Sequence, residues 1–548
     1  MSAPTAPRTV ESRTADRQRA LVAAILLASF LLYAPSLANG FTWDDRFAAM
    51  GSGPTRQPLV ATLHPLGDYW ANNWWPQHAP AATAYRPLTT LWFALRHAVC
   101  GDHALVAHAL NLALHTLATG LVHLLLRRLG LPFAAAAIGS AVFGLHALHS
   151  EVVANLVGGA ELLALVFGLA ATLLMLRVAN AASTLRASGW LLASGASLFL
   201  AASAKESGLA WVAFAPLCVL ARGWQRARER AGTAPLARVS PKCWLLVATT
   251  CTIAAGCHLQ LRAGMLARLP HGGDDTVGLL DNPLLLLPLL QRIASGFLAW
   301  GHGLLLTLWP HELCCDYGPD RLPVVRDLAS ALGLAGFAVG AAFVFGLGVA
   351  LRHARRHPLP ALATAAFVGF SVLVSNVPMA VYMHFAERSY TTPSLGLALA
   401  AGVLATQLPT ARARRVGLAA LAVWLCSSIA VAVPRNFVWA DDATLITSEV
   451  ANSPDSVRLQ LCAGELHRQR GDLAAAERHF TRAAELAPWL PQPWFELARD
   501  ALRRGDLAKT RELVVRAAAT HPQEVARYAA AIASLRAQLD AAPAAAPR

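Results

Sequence analysis

Long apolar runs recur along the first four-fifths of the chain, and the polar residues collect between them rather than alternating within them. Runs of roughly 17–25 residues have the length a helix needs to cross a hydrocarbon core of about 30 Å. Only helices or closed barrels satisfy their backbone hydrogen bonds there, and unbroken apolarity selects helices. Crossings are predicted near 20–38, 104–126, 132–147, 161–178, 188–203, 208–222, 243–259, 331–350, 360–377, 394–408 and 416–433, about eleven in all. The stretch 282–310 is also apolar, but one more crossing there would move the basic run after 350 to the other side, so it is read as a re-entrant or interfacial helical segment.

After the last span the pattern changes to charged, Ala-rich amphipathic helix that repeats itself. Gly471-Asp472-Leu473 returns as Gly505-Asp506-Leu507 and Pro488 as Pro522, both 34 residues later. That is the tetratricopeptide period, and such units stack into a concave surface for a peptide or partner protein. The chain is therefore divided into a cytoplasmic tail 1–19, a membrane domain 20–435, a soluble tetratricopeptide domain 436–540 and an Ala- and Pro-rich disordered tail 541–548. The predicted fold class is all-α: a polytopic transmembrane helical bundle followed by a short helical-repeat domain.

Composition agrees with the pattern. With 55% hydrophobic and 14% charged residues the chain is far from the roughly 25% charged residues of soluble domains. Its net charge of +14 does not mark a nucleic-acid surface, because the basic residues sit in short loops between apolar runs. Arg127 and Arg128, the run Arg222 to Lys242, Arg352 to Arg356, and Arg412 to Arg415 place those loops in the cytoplasm by the positive-inside rule. Arg17 and Arg19 precede the first run, and Ser36-Leu37-Ala38 resembles a cleavage site, but the many later spans favour an uncleaved first helix. The nine cysteines show no paired CxxC spacing and are read as small buried hydrophobes.

With the basic loops on one side, the loops 39–103, 148–160, 204–207, 260–330 and 378–393 fall on the other. They hold Asp44-Asp45, His149 and Glu151, Lys205-Glu206, Asp274-Asp275 and Glu387-Arg388. Charges beside membrane-embedded segments are costly, so their gathering on one face points to a site. The aspartate pair suits a general base or a metal, and equally an acidic helix cap. His146, His149 and Glu151 have a spacing that could ligate a metal or simply bond backbone. Lys205-Glu206 reads as a self-neutralising pair or as part of an anion pocket, and Arg388 as a phosphate grip or one half of a surface ion pair with Glu387.

In order along the chain these motifs are the aspartate pair after the first span, Tyr85-Arg86-Pro87-Leu88, the stretch His108 to His115, His146 to Glu151, Gly158-Gly159-Ala160-Glu161, Ala204-Lys205-Glu206-Ser207, Ala386-Glu387-Arg388 with Pro393-Ser394-Leu395-Gly396, and the repeat units. The order resembles the transmembrane-and-tetratricopeptide protein O-mannosyltransferases among the GT-C glycosyltransferases, from about residue 20 to 525. Gly159 stands where that family's turn carries an arginine, Ser389-Tyr390 replaces its usual Tyr-Leu-Tyr, and the repeat array is short.

The resemblance implies a polyprenyl-phosphate-linked sugar as donor, mannose by family, transferred with inversion to a protein or glycan hydroxyl presented by the repeat domain. It assigns Asp44 or Asp45 as base and Arg388 with Lys205 to the donor phosphate. Arg86, His146, His149, Glu151, Glu161, Glu206 and Glu387 would line the pocket or hold its loops. It requires no cofactor and leaves a divalent cation open; membrane lipid is a partner and nucleic acid is not. The apolar runs and basic loops give a multi-pass protein with the site and repeat domain on the non-cytoplasmic face, and the high Ala, Arg and Leu usage reads as a bacterial inner membrane, which makes that face periplasmic. The competing readings are a non-catalytic membrane-anchored scaffold and a transporter, the latter disfavoured because the charges lie in loops rather than at the bilayer midplane.

Overall fold

The computed structural model describes residues 10–53, 56–74, 83–178, 183–229, 241–269, 278–318 and 321–541. Asp274-Asp275, residues 230–240 of the basic run and the tail 542–548 lie outside the described residues. Among those described, the regular structure is entirely helical, so the all-α class is confirmed.

Among the described residues, eight helical stretches are long and apolar enough to cross a membrane: Arg13–Ala38, Ala104–Arg128, Leu156–Val178, Thr184–Ala204, Glu206–Glu229, Cys243–Leu266, Ala331–His353 and Ala411–Val438. A ninth is the pair Phe133–Gly144 and Ala147–Ala154, bent by 48° at the break, and two shorter apolar helices span Pro358–Val374 and Ser394–Gln407. Each of the eleven predicted crossings overlies one of these. The count of full-length spans is lower because polar turns interrupt three of them. Helix 394–407 rises only about 21 Å at 1.5 Å per residue, since the residues before it form the one-turn helix Glu387–Tyr390.

Small residues let these helices approach backbone to backbone. A Cβ at Gly139 would lie 2.5 Å from the Ala398 carbonyl oxygen, and one at Gly396 would lie 2.6 Å from that of Ala363. Helices 133–144, 394–407 and 358–371 are thus packed closer than side chains allow, as apolar solvent demands when dispersion rather than water expulsion holds helices together.

The two ends of the bundle differ. At one, Arg222 lies beside Gly130, next to Arg127 and Arg128, and Arg228 donates to the Arg356 carbonyl. At the other, His108 near the start of helix 104–128 bonds the Gly40 carbonyl at 3.1 Å. That helix is about 37 Å long at 1.5 Å per residue, so the basic loops and the loop bearing Asp44 stand a membrane thickness apart.

Segment 282–310 enters and leaves at the same end. Asn282 bonds Asn376 and the Val381 carbonyl at 2.8 and 2.7 Å. The helix Leu289–Leu308 then runs parallel to Ala331–His353, Ala294 meeting Gly336 and Trp300 stacking on Phe343 at 4.1 Å. It stops at Leu308, whose carbonyl accepts from Trp424 midway along helix 411–438, and by Cys314 the chain is back beside Glu387.

Beyond the last span come helix Asp442–Asn452 and two helical hairpins, Val457–Gln469 with Leu473–Leu486 and Pro491–Arg503 with Leu507–Ala518, closed by Pro522–Ala541. The repeated Gly-Asp-Leu explains itself locally. Gly471 and Gly505 end their helices at φ of +80° and +76°, a region open to glycine, and Asp472 and Asp506 cap the next helices by accepting from Ala475 and Lys509 at 2.9 and 3.0 Å. The hairpins are docked rather than tethered. Arg458 reaches Asp281 at 2.5 Å and Asp316 at 3.3 Å, and Leu279 donates to Glu524 at 2.8 Å.

Replacing Gly139 by valine should force the 133–144 and 394–407 helices apart at a cost of about 1–3 kcal/mol or more, as overpacking does. Gly189→Ala, with nothing within 4 Å of the added carbon, should be neutral or slightly stabilising. Thermal unfolding of the two purified variants in one detergent checks both; equal melting temperatures would refute the close-packing account.

Candidate functional site at the loop end of the bundle

The first loop presents Asp44 and Asp45 side by side, but their environments diverge. Asp45 is fully buried, with Thr42 N–H donating to one carboxylate oxygen at 3.2 Å and Val157 N–H to the other at 3.0 Å. It thereby ties the aspartate loop to the turn after the broken helix. Burial pushes its carboxyl up to about 7, although those backbone bonds pull the other way. Asp44 is half-buried and has no hydrogen-bond partner for its carboxylate among the described residues. Burial raises it as well; the charges acting on it, in falling order, are Arg388, Arg458, Glu151 and Arg86.

Asp44 is held in place by its neighbours. Trp43 adopts a φ of +54°, a left-handed conformation costly for a bulky residue, and its N–H donates to Asp442 at 2.8 Å. Arg46 completes the clamp at 2.9 Å from the other Asp442 oxygen. The loop is therefore fastened to the first helix of the C-terminal domain on one side and to residue 157 on the other.

Arg388 lies opposite. Its Nη1 pairs with Glu151, its own backbone N–H donates to the second Glu151 oxygen at 2.9 Å, and among the described residues its Nη2 meets only the Met383 thioether at 3.2 Å. Thioether sulfur is a weak acceptor, so half of the guanidinium fork is underused. Burial works against the Arg388 charge, but Glu151 and Asp44 overcome it and hold the guanidinium more firmly protonated than usual. Lys205 pairs with Glu161, and Ser207 donates to the other Glu161 oxygen at 3.3 Å. Arg86 bonds Glu206 at 3.2 Å and covers the Trp74 ring at 5.1 Å, while Tyr85 N–H reaches Glu206 at 2.7 Å. The charges of Arg86 and Arg388 both bear on Lys205. Asp44, Glu151, Glu161, Lys205, Arg86, Glu206 and Arg388 thus come from five separate segments to one neighbourhood.

The sequence-level alternatives for Lys205 and Arg388 resolve differently from their spacing. Lys205 and Glu206 do not neutralise each other, and neither do Glu387 and Arg388. Each turns to a distant partner, because neighbouring side chains on a one-turn helix point apart. Glu387 faces away from Arg388, accepting from Tyr317 at 2.5 Å and from Cys314 N–H, with Arg435 at 4.0 Å. Burial pushes Glu387 up to about 8 against the pull of Arg435.

The histidines form a separate structural chain. Ser394 donates to the Thr391 carbonyl at 2.7 Å, so its oxygen accepts from His149 Nε2 at 2.9 Å. His149 Nδ1 must then accept from His115 Nε2 at 3.1 Å, and His115 Nδ1 from Ser29 at 3.3 Å. His146 donates from Nε2 to Thr307 at 2.8 Å and accepts from Leu148 at its other nitrogen. Both nitrogens of His146 and His149 are committed. Among the described residues no three His, Cys, Asp or Glu groups are placed to hold a metal ion.

Sequence reasoning missed Arg435, Glu449, Tyr317 and Arg458. For Arg435 a signal existed, a charged residue inside the last apolar helix. For Arg458 none did, since one arginine among many in an amphipathic helix is unremarked.

No family model matches the chain. Among curated proteins it is 25% identical over 516 residues to protein O-mannosyl-transferase TMTC3 of Mus musculus, covering 87% of this chain and 52% of that protein. It is 23% identical to protein O-mannosyl-transferase F38B6.6 of Caenorhabditis elegans, covering 85% and 62%, and 30% identical over 308 residues to Tmtc2 of Drosophila melanogaster, covering 55% and 30%. The chain therefore spans about half the length of the first two of these relatives. Of solved structures, the Saccharomyces cerevisiae protein O-mannosyltransferase Pmt1-Pmt2 complex bound to the sugar donor aligns at a TM-score of 0.30 with 16% identity, over 46% of this chain and 33% of that one. The Archaeoglobus fulgidus oligosaccharyltransferase aligns at 0.39 with 13% identity, over 79% and 56%. Over most of its length this multi-pass membrane chain is similar in sequence to protein O-mannosyltransferases of the TMTC type.

Proposed function

We propose that the chain is a GT-C-type glycosyltransferase that moves a sugar, mannose by similarity, from a polyprenyl-phosphate carrier to a hydroxyl, with inversion. The observation that carries this reading is the pairing of opposites across one site. Among the described residues Asp44 has a carboxylate without a hydrogen-bond partner, and Arg388, the charge that acts on it most, keeps half its fork against a thioether. In the transfer, the acceptor oxygen attacks the anomeric carbon while the bond from that carbon to the phosphate oxygen breaks. The hydroxyl proton passes to Asp44, and the carrier leaves as the phosphate. A single displacement inverts the carbon. Arg388 and Lys205 stabilise the negative charge that accumulates on the leaving oxygen, worth most where water is scarce. Asp45, with both oxygens taken, positions the loop instead of exchanging protons.

The lipid carrier has a fitting surface beside the Lys205 turn. An apolar cleft of about 300 Å³ runs between helices 206–229 and 358–374, lined by Leu209, Ala213, Phe214, Leu217, Phe370 and Leu373. We propose that it takes the isoprenoid chain, that the loop end faces away from the cytoplasm, and that the helical hairpins are tetratricopeptide units presenting the acceptor.

Transfer of radiolabelled mannose from polyprenyl-phosphate-mannose to membrane protein tests the assignment. Asp44→Asn should lower the rate by roughly 10²–10⁴, the span typical of general-base loss, and Arg388→Ala should abolish it. Asp45→Asn should lower the amount of folded protein more than the activity of what remains. Undiminished transfer in Asp44→Asn would refute the mechanism.

The pH profile supplies a second check. A base must be ionised, so activity is full above the carboxyl's pKa and falls as pH drops through it. Because burial raises Asp44, the acid limb should lie above the roughly 3.9 of an ordinary aspartate. A limb at or below that value in initial-rate measurements would exclude Asp44 as the titrating base.

A further inference from the structure

The one-turn helix 387–390 carries two charged residues that serve opposite directions. Arg388 faces Glu151 and the site. Glu387 enters a buried node shared with the C-terminal domain. At its centre Arg435, near the end of the last span, binds Glu449 of helix 442–452 through Nη1, while its Nη2 lies 4.0 Å from Glu387 Oε2. Glu449 also accepts from Cys315 N–H at 2.5 Å, and Glu387 from Tyr317 and Cys314.

Three features set this node apart from ordinary anchoring. Glu387, Glu449 and Arg435 are 1%, 0% and 5% exposed, so no solvent screens them. One guanidinium serves two carboxylates from different parts of the chain. And the contact on the Glu387 side is incomplete: among the described residues Arg435 Nη2 and Glu387 Oε2 each lack a hydrogen-bond partner although buried. A shift of about an ångström would bring them to hydrogen-bonding distance, which for N–H···O is about 2.9 Å. Glu387 and Arg388 share a peptide unit whose N–H is bonded to Glu151, so the seating of Glu387 against Arg435 and that of Arg388 on Glu151 bear on the same stretch of backbone.

We infer that Arg435 and Glu449 are positioning residues for Arg388, coupling the first helix of the C-terminal domain to the grip on the donor phosphate. The inference rests on the reading of Arg388 given above. The C-terminal domain then does more than collect acceptors: its seating on helix 411–438 sets the geometry in which the donor is held.

Binding of polyprenyl-phosphate-mannose to the full-length protein in nanodiscs, followed by change in tryptophan fluorescence, separates the two claims because it needs no turnover. Glu449→Gln keeps the side-chain shape and an oxygen for Cys315 while removing the charge that holds Arg435. It should weaken donor binding by about tenfold, the scale of a lost charge-assisted hydrogen bond, and raise the donor KM with a smaller change in kcat. Arg435→Lys should restore less than half of the affinity lost in Arg435→Gln, because an ammonium cannot serve two carboxylates as a fork does. Glu524→Ala loosens the same domain where Leu279 docks on it, through a contact that the node does not share, and should leave donor affinity unchanged. If Glu449→Gln folds poorly, Glu387→Gln tests the same link from the other side. Donor affinity equal to wild type in folded Glu449→Gln and Glu387→Gln, or an equal loss in Glu524→Ala, would overturn the inference. No binding by the wild-type protein would instead overturn the donor reading itself.

Discussion

The buried pair between Arg388 and Glu151 is the contact on which the loop end of the bundle depends. Glu151 is 1% exposed and the Arg388 side chain 13%, so the pair is held together in surroundings where losing either partner costs about 3–5 kcal/mol. It joins two interruptions in otherwise membrane-spanning helices. One is the 48° break between 144 and 147, the other the polar turn before 394. Breaks of this kind expose backbone that the bilayer cannot satisfy. Here the freed groups are met by Glu151, by the histidine chain and by Asp45, so the site and the means of stabilising it are one network.

That network explains why the charges resolve into pairs between distant residues. Each carboxylate at the site takes its cation from another segment: Glu151 with Arg388, Glu161 with Lys205, Glu206 with Arg86. The exceptions are Asp45, which takes backbone N–H groups instead of a cation, and Asp44, the carboxylate with no hydrogen bond among described residues, placed by a strained Trp43 and a clamp on Asp442. Strain at one residue beside a free functional group is a familiar way for a fold to fix a reactive side chain. The C-terminal helices take part in this fixing, through Asp442, Glu449 and Arg458, instead of hanging from the last span.

Much of the architecture was legible in the sequence because it is periodic. Apolar runs of bilayer length located the eight span-length helices, the bent pair and the two shorter apolar helices, and the 34-residue recurrence of Gly-Asp-Leu located the hairpins, whose glycines and aspartates act as a helix end and a helix cap. For 282–310 the count of basic loops argued against a further crossing and left a re-entrant and an interfacial segment as the alternatives. Candidate residues were also legible as types at a membrane surface. Their partnerships were not. Adjacency suggested Lys205 with Glu206 and Glu387 with Arg388, yet local chain direction turns each pair apart. Nothing in a doublet of aspartates tells which will be tied down by the N–H of residue 157, more than a hundred positions away. Nor does a histidine at metal-like spacing reveal that both its nitrogens are already committed.

The most direct test is a structure of the full-length protein in a nanodisc with a polyprenyl monophosphate bound. The account predicts phosphate density within hydrogen-bonding distance of Arg388, displacing the Met383 sulfur, with Lys205 nearby, Asp44 across the site and the isoprenoid chain in the cleft beside Leu209 and Phe370. Phosphate seated elsewhere, with Arg388 unchanged against Glu151 and Met383, would contradict it.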